Sequence, residues 1–261
     1  MIWHLLPLST WRSAGSGVYV PGTVNARPFV HASPDEAMTL AVANTLYRDF
    51  AEPMVALALD TDRISAPVRF EAADPRPPAG VAGDVLFPHI YGPVETAAVT
   101  EVRYARRDPS GRYTGLDVRP ATADTLDLVP HPEGGWFRET WAASPRFEPP
   151  GYAGSRDAAT AIYFLLPPDA RSQWHTVASD ELWLWHSGGP LTLLLGGHGV
   201  RPGERTQAVT LGPDLSNGQA PQILVPARTW QSALPAGTAE VLVSCVVAPG
   251  FDFADFTALP D

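Results

Sequence analysis

One cysteine, Cys245, is all the sulfhydryl chemistry this sequence has, so an intrachain disulfide framework is excluded. It sits in the apolar run EVLVSCVVAP, where a small buried side chain is expected rather than a reactive thiol. Basic residues are also scarce. The 18 Lys and Arg face 28 Asp and Glu, a formal charge of -10, which argues against a large nucleic-acid interface because phosphate contacts need clustered cations. No stretch approaches the roughly 18 consecutive apolar residues of a membrane span, and the opening MIWHLLPLSTW has no basic region ahead of an apolar one. The expectation is a cytoplasmic protein without membrane association, whose partners are small molecules or a second copy of itself. What the chain does have is 28 prolines and 22 glycines in 261 residues, which favours many short elements joined by turns, all-β or α+β.

Two halves differ in pattern. Residues 1–116 mix strands with one helix, ASPDEAMTLAVANTLYRDF, read with Ser33 as its cap, Pro34 in the first turn and Met38, Ala41, Val42, Thr45 and Leu46 on its apolar face. MIWHLL, MVALALD, PVRFEAA and AAVTEVRYARR read as strands, giving an α+β domain. From about residue 126 the helical period stops, and short β-runs separated by Gly, Pro, Asn and Asp continue to residue 258, the pattern of an all-β sandwich or barrel. The intervening RYTGLDVRPATADT is polar and suits a linker.

WHTVASDELWLWHSGG carries His175, Glu181 and Gly188 at the spacing of the first cupin motif. Flanking segments LVPHPEGGWFRETW, TAIYFLL, VPARTWQSA and VSCVVAPGFDFADF, in that order, resemble the uncharacterised cupin family 5 (domain of unknown function 985), a branch of the RmlC-like jelly rolls, over nearly all of 126–258. The resemblance implies a cupin barrel, and it also shows what is missing. Val177 stands where the motif has a second histidine, and in the second motif Arg228 holds the glycine place after Pro226 and Gln231 the histidine place. With two of three imidazoles gone, the expectation is no cofactor and no tightly bound metal, unless His131 or His198 completes a site of unusual geometry.

Strand alternation puts Glu181, Trp183 and Trp185 on one face and Leu182, Leu184 and His186 on the other. A glutamate among tryptophans is poorly solvated, which raises its pKa and suits it to proton transfer. His175 and Glu181 are therefore candidates for a general base and its orienting partner, as the resemblance to metal-free RmlC-like sugar epimerases implies, acting on a sugar, a nucleotide sugar or another small polar metabolite. The alternative is a non-catalytic binding or sensing module in which the two satisfy each other. His131, Glu133, Arg138, Trp183, Trp185 and Trp230 are candidate substrate contacts, with Arg138 suited to an anion or to a salt bridge with a neighbouring strand. Leu182, Leu184 and the leucines of LTLLLGG give the barrel a second apolar face, for which a homodimer is the expected cover.

The first half, through IWHLLP, YVPGTVNARPFVHAS and LFPHIYGPVETAAV, resembles domain of unknown function 952, with Arg27 where that family is expected to carry glycine. The resemblance implies a distant similarity to ADP-ribosyltransferase folds and NAD-linked chemistry. His4, Tyr19, His31, Ser33, His89 and Tyr91 are its candidate site, with Glu95 the nearest candidate for a third catalytic position. Hydrogen-bonded core histidines are the other reading of the same residues.

Overall fold

The structure, a computed structural model, describes residues 1–15, 17–19, 29–73 and 77–259. Arg27 lies outside the described residues, and of Tyr19 only the backbone, in the strand Val18–Tyr19, is described. The chain divides after Arg119 into two compact units, a mixed one and a predominantly β one.

In the first unit MVALAL forms the strand Met54–Leu59, buried at all six positions, as a continuous apolar run between two layers should be. It pairs antiparallel with Ile2–Pro7 and Val99–Arg107, and Tyr113–Val118 completes that sheet. Val30–His31, Leu86–Ile90 and Val68–Ala72 form a second, three-stranded sheet. The helix is Glu36–Leu46, and its cap is Asp35 rather than Ser33: the Asp35 carboxylate accepts from the Met38 amide at 2.7 Å. Ser33 is held instead in a backbone bridge to Trp3, so the helix cannot begin there. Its buried face is Thr39 and Ala43, with Leu40 and Tyr47 alongside, while Leu46 is 67% exposed. Asn44 explains the rotation. Its amide donates to the Tyr113 carbonyl at 2.9 Å and accepts from the Tyr113 N–H at 2.8 Å, which turns the face one residue away from the expected one.

The stretch expected as a linker is ordered, half in the strand Tyr113–Val118 and half in the short helix Ala121–Thr125. Beyond it two antiparallel sheets face each other. One runs in the order Val129–Pro130, Trp136–Phe147, Arg156–Leu166, Val241–Ala248, Asp180–Gly188, Gln222–Val225. The other runs Gln207–Leu211, Leu191–Leu195, Gln231–Pro235, Ser172–Val177, Phe256–Ala258. This is a double-sheet jelly roll. Alternation fills its interior: along EVLVSCVVA, Val241, Val243, Cys245 and Val247 are buried, and along LTLLL, Leu191 and Leu193. Those two leucines belong to the core and not to the second apolar face. Glycine is required where strands close on turns. A Cβ on Gly134, at φ 113°, would lie 2.1 Å from the Arg171 carbonyl oxygen, in the turn whose Glu133 carbonyl accepts from the Gln173 amide at 2.8 Å. No helix among the described residues is long and apolar enough to cross a membrane.

Candidate functional site

Inside the jelly roll is a cavity of about 110 Å³. Its walls are apolar: Phe137 and Ile162 from the six-stranded sheet, Val177 from the other, and Phe251, Phe253 and Phe256 from the C-terminal segment. Into this lining project His131, Glu133, His175, Glu181 and Cys245, all at most 6% exposed.

The polar groups are ordered by one another. The His175 Nδ1–H donates to the Gln173 carbonyl at 2.8 Å and lies 3.2 Å from Glu133 Oε2. A carbonyl only accepts, so Nδ1 carries the proton and Nε2 the lone pair. His131 is in the opposite state, since its Nδ1 accepts from the Glu133 amide at 3.2 Å. Ser172 Oγ donates to Glu133 Oε1 at 3.1 Å. Across the cavity, the Trp183 indole donates to Gln231 Oε1 at 3.1 Å, which turns the Gln231 amide nitrogen toward Glu181 Oε2 at 2.5 Å.

Burial sets the charge states. It raises the Glu133 pKa to about 8, against the hydrogen bond from Ser172. It raises Glu181 as well, with His175 opposing and Glu133 reinforcing. It lowers His175, with Glu181 opposing. Although the spacing of His175 and Glu133 would permit an ion pair, desolvation makes them a neutral base beside a neutral acid near pH 7.

His131, Glu133, His175 and Glu181 are thus brought together. The other expected contacts are not. Trp183 shares the inward face with Glu181 but lies deeper, 1% exposed and edge-on to Phe164 at 5.9 Å, so it fills core and is linked to the cavity through Gln231, which bonds Glu181. Trp185 packs against the core beside a bulge and donates to the Gly189 carbonyl, and Trp230 is buried against Gly199. Arg138 is exposed, its neighbours Phe137 and Glu139 having the parity that faces the cavity. Sequence reasoning missed Glu139 and the phenylalanine wall, whose signal was the alternate Phe251 and Phe253 after Pro-Gly.

In the first unit His31, His89 and Tyr91 share one face of the three-stranded sheet, where His31, His89 and Arg69 are register partners. Phe29 stacks on His89 at 4.1 Å. Glu71 Oε2 accepts from His89 Nδ1 at 2.7 Å and from the Tyr91 hydroxyl at 2.8 Å, so Glu71, rather than Glu95, supplies the carboxylate of this cluster. His4 lies buried beneath, bonded to the His31 carbonyl at 2.8 Å, and burial lowers its pKa to about 4. Ser33 is occupied with Trp3 through its backbone.

Comparison with known proteins adds family membership. Residues 121–259 match the model of the family described as Cupin superfamily (DUF985), and residues 5–102 that of a protein of unknown function (DUF952). An uncharacterized protein of Saccharomyces cerevisiae, YML079W, is 32% identical over 147 residues, which is 51% of this chain and 70% of the yeast protein. A hypothetical protein from Leishmania major is 32% identical in structural alignment over 52% of this chain and 84% of that one, with a TM-score of 0.48. Protein SO0799 from Shewanella oneidensis is 32% identical over 53% and 82%, with a TM-score of 0.47.

Many cupin barrels hold a metal, and the residues here do not fit one. Val177 offers no donor atom, Gln231 has both ends of its amide engaged, and among the described residues no three of His, Cys, Asp and Glu are grouped to hold an ion. Elemental analysis of the dialysed wild-type protein should therefore find well under one equivalent of transition metal, and Val177→His should raise zinc affinity at least tenfold by adding an imidazole beside His175 and Glu181. A stoichiometric metal in the wild type would overturn this reading. The carboxyls predict a pH dependence. Folded Glu133 keeps its proton up to about pH 8, whereas the unfolded chain releases it near 4.5, so barrel stability should fall as pH rises through that window. The slope is at most about 1.4 kcal/mol per pH unit for one group. Glu133→Gln should flatten the decline between about pH 6.5 and 8 in urea titrations, and a profile identical to wild type would refute the assignment.

Proposed function

The chain belongs to the cupin superfamily, DUF985 branch, through residues 121–259, and on that premise we propose that its barrel binds a small, largely apolar carbonyl compound and moves a proton on the carbon beside the carbonyl without a metal. One observation supports this most: a neutral His175 of fixed tautomer sits between two desolvated glutamates in a phenylalanine-walled cavity. His175 Nε2 takes the proton, the Gln173 carbonyl that accepts from Nδ1 steadies the imidazolium that forms, with Glu181 beside it, and protonated Glu133 supplies a hydrogen bond to the developing enolate oxygen. A cavity of about 110 Å³ is well below the several hundred that drug-sized ligands fill, which favours a smaller and less polar ligand than the nucleotide sugar expected from sequence.

The same barrel is proposed to form a homodimer. Leu224, Leu182 and Val246 are register partners in a row on the outer face of the six-stranded sheet, and Leu224 is 55% exposed. Light scattering at micromolar concentration should give twice the chain mass, 28.0 kDa, and a monomer would end this proposal. For the chemistry, small ketones and 2-oxo acids incubated with the protein in deuterated water should gain carbon-bound deuterium. His175→Gln should slow that exchange by about 100-fold or more. A compound that binds but never exchanges would leave a binding module and remove the catalysis.

A further inference from the structure

Arg228 is held at φ 61°, in the left-handed region, where a Cβ crowds the backbone carbonyl. Its place is the one where the second cupin motif carries glycine, the residue that adopts this backbone freely. The backbone demand is local: the Arg228 amide donates to the Val177 carbonyl at 2.7 Å, which fixes the turn whichever side chain is present. Packing does not account for the arginine. The side chain is exposed and runs over Gly151, where a Cβ would lie 4.0 Å from Nη2. Among the described residues its guanidinium makes no ion pair, although Asp255 lines the same depression. Asp255 is already neutralised: its two oxygens take Arg156 Nε at 2.6 Å and Nη2 at 2.9 Å.

The result is a permanent positive charge without a counter-charge at the edge of a polar depression of about 530 Å³, which His198 and Thr176 also line. The Thr176 hydroxyl is buried and makes no hydrogen bond. We propose that this depression is a phosphate-binding subsite, with the Arg228 guanidinium as its donor and His198 at its rim. A guanidinium presents a planar fork that suits a phosphate's oxygens, and a strained residue kept at a glycine position is the kind of outlier found where a ligand is held.

Val177 lines both the depression and the inner cavity, and the segment between them alternates, with Phe253 and Phe256 facing inward and Ala254, Asp255 and Thr257 outward. A ligand that engages both would place the small, apolar carbonyl head proposed above in the cavity and extend it by a phosphate tail held outside in the depression, a conclusion that rests on the function proposed above.

The test uses inorganic phosphate at constant ionic strength, followed by calorimetry. Wild-type protein should bind it saturably. Arg228→Gly should bind at least tenfold more weakly while its thermal midpoint stays the same or rises, because glycine relieves the backbone. Arg228→Lys should retain part of the affinity. Absence of saturable binding in the wild type, unchanged affinity in Arg228→Gly, or equally tight binding of acetate would overturn the subsite. His175→Gln should bind phosphate as the wild type does, so loss of deuterium exchange and loss of phosphate binding report separately on the two sites.

Discussion

Desolvation of Glu133, His175 and Glu181 is the constraint on which the barrel's site depends. Each would be charged in water near neutral pH or close to it, and each is shifted toward its neutral form by the same apolar wall. Three ionisable groups at such low exposure are tolerable only because they share hydrogen bonds with Ser172, Gln173 and Gln231 and because neutral forms need less solvation. Where the cupin motif has metal ligands, this chain has buried side chains held in hydrogen bonds to one another. Gln231 shows how the exchange works locally: an amide at a position where the motif has an imidazole ties Glu181 to Trp183, and so converts a metal ligand's place into a clamp on a carboxyl.

How much of this was legible in the sequence depends on which forces decide each feature. The barrel was legible, because period-two alternation and turn residues are local signals that the sheets obey. The inward facing of Glu181 was legible for the same reason, whereas His175 was marked by the spacing of the cupin motif, and the two do meet at one cavity. Trp183 was not: parity gives a side chain's face but not its depth, and whether an inward tryptophan lines a cavity or fills the core is decided by what packs opposite, here Phe164. The helix shows a similar division. Its existence followed from pattern, but its cap and its buried face were set by Trp3 and Tyr113, residues distant in sequence.

In the first unit, the imidazoles singled out by composition do assemble, yet their organising carboxylate, Glu71, was hidden in PVRFEAA. Only strand register reveals it. Val68–Ala72 and Leu86–Ile90 pair so that Arg69 sits opposite His89 and Glu71 opposite Phe87, which places both charged residues on the face that carries His31. A single strand read alone cannot show which neighbour will lie across from it.

The phenylalanine wall has a consequence for how the barrel acquires its chemistry. Phe251, Phe253 and Phe256 follow the last long strand, and Arg156 anchors their segment through Asp255 from almost a hundred residues earlier in the chain. During synthesis the carboxyls and imidazoles emerge well before these rings do. Until the segment docks, the three rings do not cover Glu133 and Glu181, and the desolvation that raises their pKa is incomplete. Folding of the barrel and the full desolvation of these side chains are therefore completed together, by the segment that carries the three rings.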